Sequence, residues 1–348
     1  MLIFFVTVLR ALAACIITNA HYTGVYPTDL IANGGLLGDV IFFAVSGFCF
    51  AKVKEPFPKW YVKRLVRILP VVWLITAIYG IVGLFEIEFT FKGVLSAFIY
   101  PTRYHFISSI LILYIPFYLV MRYEKLKMHL PQISMAIAVV WFIGYIFFYD
   151  RSYYHIDTVR EPMIRFLFLF AMFLGAYFRI EKDRFLNKKC IGVWIALPFL
   201  SAIYFASKMA FVKIEAISQF QILNQVVLLL LLAALFRCFA SVDAKLENLP
   251  KPIKTVITFI STITLEIYLV QISLIQKLNF LPFPANWALI TAAIILFAFL
   301  LNKLTNPVYT AFKKAIDKPK KKMFFNTDYC ELGRLFNGTA GKRGYTGI

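Results

Sequence analysis

Acidic residues are scarce: 18 of the 348 residues are Asp or Glu against 37 Lys and Arg, and there are four His and five Cys. With 16% charged and 61% hydrophobic residues, the chain carries too little polar surface to cover a water-soluble fold of this length. The cysteines stand at 15, 49, 190, 238 and 330 with no paired spacing, which predicts neither a disulfide framework nor a metal site. No Lys or Arg precedes the first apolar run, and Arg10 interrupts it. A cleaved signal peptide is therefore not expected, and the first helix should stay in the membrane. What the chain has in abundance is apolar and aromatic side chains, with 37 Phe and 19 Tyr. Many of the Tyr lie near the ends of apolar runs, where a ring with one polar end suits the headgroup layer.

The expected class is all-α, a polytopic membrane protein of about ten transmembrane helices. Runs long enough to cross the bilayer, or nearly so, fall near 2 to 20, 35 to 51, 69 to 85, 106 to 121, 133 to 149, 163 to 180, 191 to 207, 219 to 240, 257 to 278 and 286 to 304. The stretch 93 to 101, bounded by proline, is a possible extension. Most of the Lys and Arg fall on alternate connections, beginning with Lys52, Lys54, Lys59, Lys63, Arg64 and Arg67. Positive loops are retained on the cytoplasmic side, so both N-terminus and C-terminus are expected there. The same retention, with attraction to anionic headgroups, accounts for the net charge of +19 without a nucleic-acid partner. The lipid bilayer is the first partner expected, and the location is a cell membrane crossed many times, a bacterial inner or plasma membrane. Residues 1–316 read as one transmembrane domain and 317–348 as a flexible cytoplasmic tail, where periodicity is lost and Gly increases. The "NGT" of that tail matches a glycosylation pattern but falls on the cytoplasmic side.

The run "LRALAACIITNAHY", residues 9 to 22, places Arg10 inside the first span. A cation there costs at least about 2.5–3.5 kcal/mol on insertion scales, so such residues usually face the protein interior and serve a substrate or ion path. The alternative is that Arg10 snorkels to the inner surface, from a depth of roughly 12 Å. His21 follows after eleven residues, close to three full turns, so both lie on one helix face about 16 Å apart. A titratable base at a helix end is also a common interfacial residue, and that reading stays open.

In the second span, Asp39 and Ser46 are seven apart and share a face. An antiparallel entry would put Asp39 near the depth of His21, as an orienting carboxylate, and Ser46 near that of Arg10. Asp39 could equally pair with another cation and fix packing. Gly34, Gly35, Gly38 and Gly47 allow neighbouring helices to approach closely. On the cytoplasmic side, "KWYVKRLVRILP" sets Arg64 and Arg67 one turn apart, with Pro70 in the first turn of the next helix. The two guanidinium groups could clamp phosphates, or they could be ordinary retention charge on an interfacial segment.

These stretches, in this order, resemble the acyltransferase-3 family of integral membrane acyltransferases. The resemblance rests on Arg10 and His21 in the first helix, on Gly35, Gly38, Phe42, Phe43, Ser46 and Gly47 in the second, and on Arg64, Arg67 and Pro70 before the third. Beyond residue 70 it is carried by the ten-span layout and by "STITLEIYLVQ" in the ninth helix. The resemblance implies an O-acyltransferase that moves an acyl group, usually acetyl from acetyl-CoA, to a hydroxyl of a cell-surface polysaccharide or lipid-linked sugar. Acyl-CoA is then a co-substrate and no bound cofactor is expected. The resemblance also implies His21 as general base or acyl relay, Arg10 at the donor or its developing charge, and Arg64 and Arg67 near CoA phosphates, with Ser46 beside the donor. Asp39 precedes Val40 where many relatives have the reverse order, turning its carboxylate by about 100°. Gln271 stands where many relatives have His, on a polar stripe with Thr264 and Tyr268, and it can bind but cannot act as a base. Gln271, Tyr268 and Glu266 are candidates for the acceptor side, Glu266 also as a buried partner of Arg10.

His155 lies in the outer loop "YDRSYYHIDTVREP", whose aromatics read as interfacial anchors or as a sugar contact. A transporter or flippase for a glycan or lipid-linked sugar is the alternative function, and its signature would be broken helices at matching positions of two halves. A structural scaffold for glycan assembly gives no reason for Arg10 and His21 to share a face.

Overall fold

The computed structural model describes residues 3–84, 88, 90–158 and 162–317; of the expected tail, Asp317 is helical and 318–348, with Cys330, lie outside the described residues. Eleven helices carry the architecture: α1 Phe4–Ala20, α2 Gly35–Phe50, α3 Phe57–Ile81, α4 His105–Arg122, α5 Leu130–Phe148, α6 Ile164–Ile180, α7 Ile191–Lys213, α8 Ile222–Ser241, α9 Lys251–Thr262, α10 Thr264–Leu278 and α11 Ala285–Asp317. Among the described residues every regular element is helical. Six of these helices, α3, α4, α5, α7, α8 and α11, are long and apolar enough to cross a membrane. The pair α9 and α10 passes the same test together, bent by 72° at the break around Ile263. The 17-residue α1 and 16-residue α2 are shorter apolar helices.

The outer helices show what surrounds the protein. In α5 and α7 only 17% and 11% of the most apolar window is buried, although both are hydrophobic around their whole circumference. An apolar helix that the protein leaves uncovered is covered by lipid. The 67% buried window of α4 identifies it as an interior helix instead.

The interior is organised by α1 and α2. Both have glycine or alanine where they meet: an added Cβ on Gly38 would lie 3.0 Å from the Ala13 carbonyl oxygen, and one on Gly35 3.1 Å from the Ala20 methyl. Close approach of this kind is how apolar helices gain packing energy where lipid offers no hydrophobic contrast. The α2–α6 crossing is tighter still. A Cβ on Gly47 would collide with the Met172 carbonyl, and one on Gly175 with the Ala44 carbonyl. The opposite wall of α1 is formed by α9 and α10, while α11 packs against α10 and α3.

Three features differ from the sequence reading. The basic segment with Arg64 and Arg67 is not a separate interfacial piece: it is the first half of α3, a 25-residue helix that runs through Pro70. Proline removes one backbone donor and is tolerated here because the helix is held by its neighbours. The ninth span is broken into α9 and α10, which apolar periodicity alone does not reveal. The stretch 93 to 101 forms no crossing, but a short helix, Phe91–Val94, that continues as a π-turn over Leu95–Ile99.

Candidate active site

Arg10 opens into a cavity of 280 Å³ at the end of the bundle where α1 begins, lined by Arg10, Ser46, Cys49, Arg67, Tyr114 and Tyr309 among others. One Arg10 guanidinium nitrogen donates to the Cys49 sulfur at 3.5 Å. Arg67 enters from α3, 5.3 Å above the Tyr309 ring, and donates to the Thr262 carbonyl at 3.5 Å. That carbonyl is available because α9 ends there, so the break in the ninth span supplies a ligand for a cation. The same break aims the N-terminus of α10 at the cavity through Thr264 and Leu265, adding the partial positive charge of a helix start.

Arg64 stands behind this group. Its guanidinium stacks 4.0 Å from the Trp60 ring and 4.7 Å from that of Phe50, and donates to the Trp60 carbonyl at 2.7 Å. Its Nε is buried without a partner among the described residues. The Tyr114 hydroxyl lies within electrostatic range of both Arg64 and Arg10, which ties all three arginines to one region. The charge is not balanced locally. Glu266, completely buried, approaches Arg67 at 3.9 Å, and its Oε1 accepts from Asn302 at 2.8 Å. Glu55 also lies within electrostatic range of Arg64, but it is already ion-paired with Lys59 and Lys63. Two guanidinium groups and a helix N-terminus around one cavity, with the third guanidinium behind it, favour an anionic ligand. Glu266 thus pairs with Arg67 rather than with Arg10, because the bend carries the start of α10 toward α3.

From this cavity the space continues along α1 past Ala14 and Ile17 as a gap of only 10 Å³, between Phe42, Phe106, Tyr268 and Gln271. The Phe42 and Phe106 rings meet edge to face at 5.0 Å, and Phe106 and Tyr268 at 5.5 Å. Such a volume barely admits one water. At its far end the Thr18 hydroxyl donates to Gln271 Oε1 at 2.8 Å, while Gln271 Nε2 is buried and unpartnered.

His21 caps α1 at the opposite end, its backbone N–H bonded to Thr18 and Asn19 carbonyls and its side chain exposed. It does not line the arginine cavity. Arg10, Ala14, Ile17 and His21 nonetheless follow one another along one face of α1, as the helical spacing requires. Asp39 sits differently from expectation. Its neighbour Gly38 packs on Ile17, which places the carboxylate about one turn deeper than His21, and no ion pair or hydrogen bond joins the two among the described residues. Asp39 lies instead within electrostatic range of Tyr204 and Tyr268.

Cys49, Tyr114 and Tyr309 were not singled out from the sequence. Tyr309 lies beyond the apolar run that ends near 304, on a helix that continues to Asp317, so nothing in hydropathy marks it. In the loop between α5 and α6 the His155 ring stacks between Tyr149 at 4.5 Å and Tyr153 at 4.2 Å, and the buried Gln221 holds its backbone.

A family model described as an acyltransferase domain matches residues 3–303 of this chain. No curated protein and no solved structure matches it.

Proposed function

The chain belongs to the acyltransferase-3 family, and we propose that it carries an acyl group, acetyl by preference, from acyl-CoA to a hydroxyl of a cell-surface or lipid-linked sugar. It is a membrane acyltransferase, and the finer reading places ten crossings in a cell membrane with both termini cytoplasmic. Residues 1–316 are taken as the working domain and 317–348 as its tail. One observation carries this reading: Arg10 and Arg67 line a single cavity with Arg64 stacked behind it, Glu266 is the one carboxylate among the described residues that pairs with any of the three, and the helix that bears Arg10 ends at His21.

In this reading Arg64 and Arg67 hold the CoA phosphates, with Ser46 beside the donor. The flexible arm of CoA carries the thioester along α1, past Phe42 and Phe106, whose rings must rotate to admit it. The acceptor oxygen attacks the thioester carbonyl carbon, and the carbon–sulfur bond breaks. The hydroxyl proton passes to the His21 imidazole, which returns it to the leaving CoA thiolate. Arg10 stabilises the donor or the charge developing on its carbonyl oxygen. Tyr268 and Gln271 line the gap at whose far end donor and acceptor meet, Asp39 supports His21 from one turn deeper, and Glu266 holds Arg67 in place.

A transporter would also use a broken helix at mid-membrane, and α9–α10 is such a break. Among the described residues it is the one bent pair that passes as a span, whereas a transporter of inverted repeats has two. The decisive experiment gives purified protein in bilayers labelled acetyl-CoA and a glycan acceptor. Transfer that depends on His21 is expected; undiminished transfer by His21→Ala removes the catalytic assignment, and glycan movement without acetyl-CoA consumption supports the transporter.

A further inference from the structure

A second cavity, of 220 Å³, lies on the other flank of α1, between α1, the α9–α10 break and the outer half of α11. Its lining changes character along its length. The deep end is aliphatic, made by Ala14, Ile260, Ile267, Ile294 and Ile295. The end level with the close of α1 is polar and aromatic, made by Asn19, Tyr22, Tyr26, Trp287 and Thr291. These groups are ordered: the Tyr22 hydroxyl and Thr291 Oγ1 are 2.8 Å apart, and Tyr26 donates to Asn19 Oδ1 at 2.9 Å. Trp287 to Ile295 is eight residues of α11, a rise of about 12 Å, so the gradient runs through most of one leaflet.

No charged residue lines this cavity. A phospholipid headgroup would find no cation there, whereas a hydroxyl-rich neutral head would find aromatic faces and hydroxyl and amide partners. The volume is below the roughly 300 Å³ at which pockets enclose a whole small molecule, so it fits a ligand whose remainder stays in lipid. Thr18 and Tyr22 line the cavity on either side of His21 in sequence, Tyr22 just beyond the end of α1. Thr18, through its bond to Gln271, also forms the wall between this cavity and the narrow gap that leads from the arginines.

We propose that this cavity is the acceptor site, entered laterally from the bilayer by a sugar carried on a hydrocarbon chain. The chain lies against the isoleucines and the sugar sits at the tyrosine rim beside His21. This rests on the acyl-transfer reading above and narrows it: the acceptor is membrane-borne rather than a free polysaccharide. A lipid-borne acceptor also suits the separation of the two cavities, since donor and acceptor then reach the Thr18–Gln271 wall from opposite flanks of one helix.

Cys15 lines the cavity and its thiol is exposed, which provides a native reporter. The unmodified protein in lipid nanodiscs is treated with a membrane-permeant maleimide, and the Cys15 peptide is followed by mass spectrometry. The probe is a dodecyl glucoside, compared with free glucose and with dodecylphosphocholine of the same chain length. At about ten times its dissociation constant the glucoside should slow Cys15 labelling about tenfold, because the unliganded fraction falls as 1/(1 + [L]/Kd). Glucose and dodecylphosphocholine should not slow it, and Ile295→Trp, which fills the deep end, should abolish the protection. Equal labelling with and without the glucoside overturns the proposal, as does equal protection by dodecylphosphocholine, which would mark an unspecific lipid crevice. Efficient transfer to a free oligosaccharide without Cys15 protection overturns this site and leaves the acyltransferase reading intact. Protection without any acyl transfer has the reverse meaning.

Discussion

Thr18 and Gln271 are 253 residues apart in sequence and share a 2.8 Å hydrogen bond in which the threonine donates to the amide oxygen. Both are buried, and the amide nitrogen has no partner among the described residues. The pair is one-sided: Gln271 depends on Thr18, whereas a helical threonine hydroxyl can turn to the carbonyl one turn back. Thr18→Val should therefore destabilise the protein by about 1–3 kcal/mol, the cost of orphaning a buried acceptor. Gln271→Leu, which removes both polar ends, should cost less, and adding it to Thr18→Val should restore stability. Thermal unfolding of the three variants in detergent gives the ordering.

Arg67 and Glu266 should separate stability from donor binding. Arg67→Ala leaves a buried carboxylate facing no cation. We expect a loss of about 2 kcal/mol, less than the about 3–5 of a fully buried pair because Arg67 is partly exposed. Glu266→Gln keeps an oxygen for Asn302 and should rescue the stability of Arg67→Ala. It should not rescue its raised KM for acyl-CoA, which steady-state kinetics of the double variant would measure.

His21→Ala is expected to lower kcat by about 10²–10⁴-fold, the range a positioned proton acceptor supplies. Arg10→Ala should also fail in transfer. Both variants should insert and unfold like the parent, as read by membrane fractionation and melting temperature.

Gly47→Ala and Gly175→Ala should each prevent normal folding. The new methyl meets backbone carbonyls, not a side chain that can rotate away, so the penalty should reach or exceed the about 1–3 kcal/mol usual for overpacking. Yield of monodisperse protein is the readout, with Gly192→Ala, which meets nothing within 4 Å, as the harmless control.

The helices were legible in the sequence because each apolar run is long, and a run of that kind has few alternatives in a bilayer. Arg10 and His21 were legible as a pair because both sit on one helix, where the turn angle fixes the shared face. Relations between helices were not. Helical phase says which way Glu266 points but not that the bend at Ile263 delivers it to Arg67. It places Asp39 on a face but not at a depth, since depth depends on how Gly38 seats against Ile17. Tyr114 and Tyr309 entered the arginine cavity from helices with no motif around them, and the second cavity exists only where α1, α9, α10 and α11 meet.

The glycine crossing between α2 and α6 has a mechanical meaning. Two backbones seated on each other's bare α-carbons can neither slide by a residue nor roll without collision, so that side of the protein serves as a fixed frame. The bent α9–α10 and its neighbour α11 have no such lock, and both cavities are bounded by them. An arriving donor or acceptor is therefore expected to displace that wall rather than the α2–α6 frame.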